Sequence, residues 1–127
     1  TGDMAEKRVQ ISRQEMLAFS SLIGDTQSFH VVEEFARQMV FKRTICHGVH
    51  LLAFVSAVIG EQLPGFGTIY CSQNMTFLNP IEVDEPMRIQ VMVLEKLGHH
   101  RVKLRTRIYR QDDTLAMDGV AVVKTFA

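Results

Sequence analysis

The sequence predicts an α+β domain in which a curved antiparallel sheet encloses one helix. Two observations lead there, and one packing argument joins them. From Gly48 to Gly60 apolar residues occupy nearly every position, which reads as a helix buried on all sides. Beyond Leu63 the chain reads as successive strands, and the breaks between them carry turn residues. A sheet that curls around the apolar helix buries both elements at once.

The elements follow in order. Val9 to Ile11 is a candidate first strand. Ser12 and Glu15 have the spacing of a capping box, and Met16, Phe19 and Ile23 recur at helical intervals until Gly24 ends the run. Val32, Phe35, Ala36, Met39 and Val40 repeat with helical period, predicting a short second helix after the loop from Gly24 to His30. The apolar helix then runs into Pro64-Gly65-Phe66-Gly67, where proline removes an amide and glycine favours a turn.

Four strands are predicted beyond that point. Thr68 to Phe77 is the first, and Met87 to Leu97 places Ile89, Val91 and Val93 on one face. Gly98-His99-His100 supplies a turn, and Arg101 to Tyr109 alternates Val102, Leu104, Thr106 and Ile108 against basic residues. Asp112-Asp113 marks the next turn. In Leu115 to Phe126, Met117, Ala121 and Val123 share one face and Val120 and Val122 the other, predicting a strand covered on both sides.

The 127 residues suit a single domain, 1–127, with no repeat and no linker. Lys+Arg and Asp+Glu each number 14, so no net field draws in nucleic acid or an anionic membrane. The longest apolar stretch, Val49 to Ile59, is too short to cross a bilayer. A polar start at Thr1 to Lys7 lacks the apolar core of a secretory signal, so a soluble interior compartment is expected: the cytoplasm, with an organelle matrix as the alternative. Cys46 and Cys71 have no CxxC spacing and read as buried free thiols.

Few residues suggest chemistry. Asp25 and His30 share a loop that can aim both at one point, as an acid–base pair handling a water proton and a proton α to a carbonyl requires. The same residues also suit a turn or helix cap and an ordinary surface or core histidine. His47-Gly48 opens the apolar helix, where unpaired amides and the helix dipole favour an anionic oxygen, while Gly48 equally suits tight packing. Ser56, inside that helix, needs either the carbonyl one turn back or a group in a pocket. His47 and His50 are on one helical face, but no further ligand completes a metal set. Phosphate-binding glycine loops are missing from the sequence, so no nucleotide cofactor is expected.

Taken in order, Phe19 to Asp25, His30, Ile45-Cys46-His47-Gly48, Ser56, Leu63 to Gly67, Ser72-Gln73, Phe77, Pro80 and the closing Val122-Val123-Lys124 resemble the MaoC-like, (R)-specific enoyl-CoA hydratases of the hot-dog fold. That resemblance implies a homodimer of curved sheets wrapped around long helices, acting on acyl-CoA or acyl-carrier-protein thioesters with no cofactor or metal. It implies that Asp25 and His30 hold the water for a syn addition across the α,β double bond, and that the Gly48 amide stabilises the thioester oxygen. Ser56 would line the acyl pocket, and His47, Leu52, Gly65 and Gly67 would also meet substrate. The family pattern Asp-x-Asn-Pro-x-His reads Asp25-Thr26-Gln27-Ser28-Phe29-His30 here, so the turn lacks proline's fixed φ. The competing readings are a hot-dog thioesterase, and an acyl-thioester-binding protein without turnover.

Overall fold

The computed structural model describes residues 2–24, Cys46 and residues 48–126. The helix expected over Val32 to Val40 lies outside them. The described elements are β1 (Met4–Val9), α1 (Arg13–Ile23), α2 (Gly48–Glu61), β2 (Thr68–Phe77), β3 (Met87–Lys96), β4 (Arg101–Arg110) and β5 (Leu115–Thr125). The five strands form one antiparallel sheet in the order β1-β3-β4-β5-β2.

The first strand lies earlier than the sequence suggests. Met4 pairs with Met92 and Val9 with Met87, so β1 ends where the expected strand begins. Glu6, Lys7 and Arg8 hide it in the sequence, because an edge strand tolerates charges that an inner strand would exclude. In α1, the Ser12 hydroxyl accepts from the Glu15 N–H at 3.1 Å and donates to the Glu15 carboxylate at 3.1 Å. Gly24 closes the helix at φ 76°, a left-handed conformation that glycine adopts without a Cβ penalty, and its N–H bonds the Ser20 and Ser21 carbonyls.

Alternation holds well in β3 and β4. Ile89, Val91, Leu104, Thr106 and Ile108 are all buried, and their neighbours face outward. The turn between these strands has both His99 and His100 at positive φ, 63° and 62°. In β5, Met117, Ala121 and Val123 are buried, but Val120 and Val122 are only half-buried, which corrects the two-sided reading. They lie opposite Arg105 and Lys103 of β4, whose aliphatic stems shield valines on an otherwise wet face.

α2 approaches β3 and the two edge strands β1 and β2 most closely, so the rims of the sheet rise on either side of it. Its buried face carries His50, Leu51, Val55, Val58 and Ile59. The expectation of burial on all sides does not hold: Val49 is 54% exposed, and Ala53 and Ala57 are exposed with it. The sheet covers one face of the helix, and the opposite stripe borders a groove.

Leu104 is fully buried in the core, whereas Leu22 on α1 is 83% exposed. Leu104→Ala is expected to cost about 3 kcal/mol in urea unfolding, and Leu22→Ala under about 0.5 kcal/mol.

Candidate functional site

Three of the expected site residues, Asp25, His30 and His47, lie outside the described residues. The others fall in two places. Gly48 begins α2, where the first-turn amides have no partner within the helix. The Phe77 ring lies directly over it, and a Cβ at Gly48 would come within 2.8 Å of that ring. Glycine thus lets the Phe77 ring lie close against the helix start, and a Cβ here would push that ring aside.

Leu52 and Ser56 lie further along the same helix, Ser56 about 12 Å from Gly48 at ~1.5 Å per residue. Together with Val49 and Ala53 they form one wall of a groove of about 400 Å³, whose other wall is Tyr70 and Gln73 of β2. Positions 49, 52, 53 and 56 share one helical face by the 3–4 spacing, so the exposed stripe of α2 is the groove wall. The structure thus brings Leu52 and Ser56 together on one wall of the groove. Gly65 and Gly67, at φ 94° and 86°, follow the opposite end of the helix and shape the turn into β2. There the Gly65 N–H bonds the Ile59 carbonyl at 2.9 Å, and the Gly67 carbonyl accepts from Phe126 at 3.1 Å.

The β2 wall owes its form to an irregularity. Tyr70 pairs with Val123, but Ser72 pairs with Val122, so Cys71 is an extra residue in β2. The bulge places Tyr70 and Gln73, three apart, on the same inward side, which a regular strand forbids. It also turns Cys71 outward, correcting the expectation that both thiols are buried. Sequence reading did not find Tyr70 as a pocket residue, because period 2 assigns it and Gln73 to opposite faces.

The wall is tied together by hydrogen bonds. The Tyr70 hydroxyl donates to Gln73 Oε1 at 2.9 Å, and Gln73 Nε2 donates to the Asn74 carbonyl at 2.7 Å and to Thr106 Oγ1 at 3.0 Å. Burial pushes the Tyr70 hydroxyl up to about 12, so it stays a neutral donor. On the other flank of α2, His50 stacks on Phe19 at 4.1 Å between centroids and on Phe54 at 5.3 Å. This buried imidazole joins α1 to α2, a packing role.

Cys46 is buried next to the helix start, and its N–H bonds the Ile81 carbonyl at 2.8 Å. Burial, with the nearby carboxylates of Glu85 and Asp84, pushes its thiol up to about 12. Among the described residues no group of His, Cys, Asp and Glu is arranged to hold a metal ion, and no helix is long and apolar enough to cross a membrane.

One helix held in the curl of an antiparallel sheet, with an apolar groove along its flank, defines the class of hot-dog proteins. The MaoC like domain family matches residues 3–114, and the chain belongs to that family. It is 35% identical over 124 residues to the (R)-specific enoyl-CoA hydratase of Aeromonas caviae, covering 97% of this chain and 92% of that protein. It is 31% identical over 115 residues to the 3-hydroxybutyryl-CoA dehydratase of Methylorubrum extorquens, covering 91% of this chain and 73% of the relative. The solved (R)-hydratase from A. caviae superposes with a TM-score of 0.96 at 34% identity, covering 98% of this chain and 96% of that one.

The two cysteines should separate chemically. An aromatic disulfide reagent at pH 8 is expected to label Cys71 in the folded protein and Cys46 only on unfolding, with Cys71→Ser removing the phase seen before unfolding. Quantifying released chromophore before and after adding guanidinium checks this.

Proposed function

We propose that the chain is a hydro-lyase that hydrates trans-2-enoyl thioesters, of CoA or acyl-carrier protein, reversibly to (R)-3-hydroxyacyl thioesters. The observation that carries this reading is the nearly full-length likeness to an (R)-specific enoyl-CoA hydratase. The groove supports it, since an apolar channel beside a helix N-terminus suits a ligand with a carbonyl at one end and a hydrocarbon at the other.

In this reading Asp25 and His30 hold one water. One takes a proton from it as its oxygen bonds to Cβ; the π electrons move toward the thioester carbonyl, and the other group delivers a proton to Cα. Addition from one side makes the reaction syn. The Gly48 amide lowers the barrier by donating to the carbonyl oxygen as it gains charge. Leu52 and Ser56 hold the acyl chain beside α2, and His47, Gly65 and Gly67 are assigned to the surrounding substrate path. No cofactor takes part. The 127 residues act as one domain, in the cytoplasm.

Asp25→Asn and His30→Ala are each expected to lower hydration of crotonyl-CoA by about 10²–10⁴-fold. Loss of the enoyl-thioester ultraviolet band measures this, with unchanged circular dichroism as the control. Wild-type activity in either folded variant would refute the dyad, and release of free thiol would favour a thioesterase.

The chain works as a homodimer in this reading. β2 is an edge strand that exposes Ile69 and Phe77 at 57% and 50%, apolar surface that a second copy would cover. Sedimentation at twice the 14.4 kDa chain mass is expected, and a monomer at micromolar concentration would contradict it.

A further inference from the structure

The β2 wall of the groove is built with more constraint than a packing surface needs. Gln73 uses its whole amide: Oε1 accepts from Tyr70, and both Nε2 hydrogens are taken, by the Asn74 carbonyl and by Thr106. The amide can therefore sit only one way round. Thr106 is on β4, with β5 lying between it and β2, so the Gln73 side chain crosses an intervening strand to reach it. It crosses at Gly119, the residue opposite Thr106. A Cβ at Gly119 would stand 3.0 Å from Gln73 Nε2 and would run into the Asn74 carbonyl. Gly119 leaves the slot, Thr106 anchors the amide from a fully buried position, and the bulge at Cys71 brings Tyr70 onto the same side.

The groove these residues bound, about 400 Å³, is at the small end of the ~300–1,000 Å³ usual for small-molecule sites. The groove is open along one side, and a branched chain, or one long enough to lie against the β2 wall, meets the tyrosine ring that the hydrogen bond to Gln73 holds in place.

We propose that Tyr70 and Gln73, locked by Thr106 through the slot at Gly119, are the specificity-determining wall of the groove and hold it to short, unbranched acyl chains. This rests on the reading of the groove as an acyl-thioester site. Thr106 is a positioning residue: it is buried in the core and acts on the ligand only through Gln73.

The test compares affinities for butyryl-CoA and octanoyl-CoA, saturated thioesters that cannot be hydrated, by titration calorimetry, with crotonyl-CoA hydration measured alongside. Wild type is expected to prefer butyryl-CoA. Tyr70→Phe, which loses only the hydroxyl, and Thr106→Val, which removes the anchor without touching the groove, are each expected to reduce that preference about 10-fold. Thr106→Ser, which restores the hydroxyl, is expected to keep the wild-type ratio; a purely structural role for Thr106 would not separate valine from serine in this way. Thermal unfolding confirms that each variant is folded. If wild type hydrates crotonyl-CoA and the ratio stays within about twofold in Tyr70→Phe and Thr106→Val, the selectivity wall is overturned and the hydratase reading stands. If wild type binds neither thioester and hydrates none, both readings fall.

Discussion

The burial of α2 in the curl of the sheet is the constraint on which the rest depends. Leu51, Val55, Val58 and Ile59 on the helix meet Ile89, Val91, Leu104, Ile108, Met117, Ala121 and Val123 from three strands, and together they make up much of a single core. Apolar area removed from water, at roughly 25 cal/mol per Å², makes this the largest favourable contribution available to a chain of this size. The surface ion pairs, such as Arg88 with Glu6 at 3.0 Å and Arg107 with Asp118 at 3.1 Å, are part-exposed and contribute about 0–1 kcal/mol each. They dress a fold that the helix holds.

A helix held this way has one face left over. The sheet can cover only the side it curves around, so the stripe from Val49 to Ser56 borders open space unless something else fills it. The same geometry places the helix start, whose first-turn amides find no carbonyl within the helix, at one end of that stripe and next to Phe77 of the edge strand β2. A groove with a polarised end is thus a by-product of how the core is closed. The irregularity at Cys71 then adapts the edge strand to that groove, since a bulge redirects side chains at small cost where a strand has a neighbour on one side only.

What could be read in the sequence follows from these facts. β3 and β4 were legible because one of their faces is dry and the other wet, so composition alternates with the pleat. α1 was legible because its caps are side-chain chemistry at fixed offsets, Ser12 to Glu15 and then Gly24. β1 was misplaced because a charged edge strand carries no such alternation. The exposed stripe of α2 was read as core because a groove for hydrocarbon and a core for hydrocarbon ask for the same residues. Leu52 and Ser56 were expected to line a pocket from family resemblance and do line the groove, and the Tyr70–Gln73 wall was hidden because a one-residue insertion in the pairing leaves no mark in a single sequence.

The polarity of the groove changes along its length, and the hydrogen bonds explain why. At the Gly48 end the helix offers amide donors that its own carbonyls cannot satisfy. At the Tyr70–Gln73 wall every donor is already consumed within the protein: the tyrosine hydroxyl by Gln73, and the glutamine amide by Asn74 and Thr106. A buried donor left without a partner costs about 1–3 kcal/mol, so a wall with open donors would penalise a hydrocarbon chain laid against it. By satisfying them internally, the wall presents a polar residue to an apolar ligand without that penalty, and it gains a fixed shape from the same bonds. On the proposed reading of the site, hydrogen-bonding capacity is concentrated where the carbonyl sits and withheld where the alkyl chain runs, which separates recognition of the reacting group from recognition of the tail.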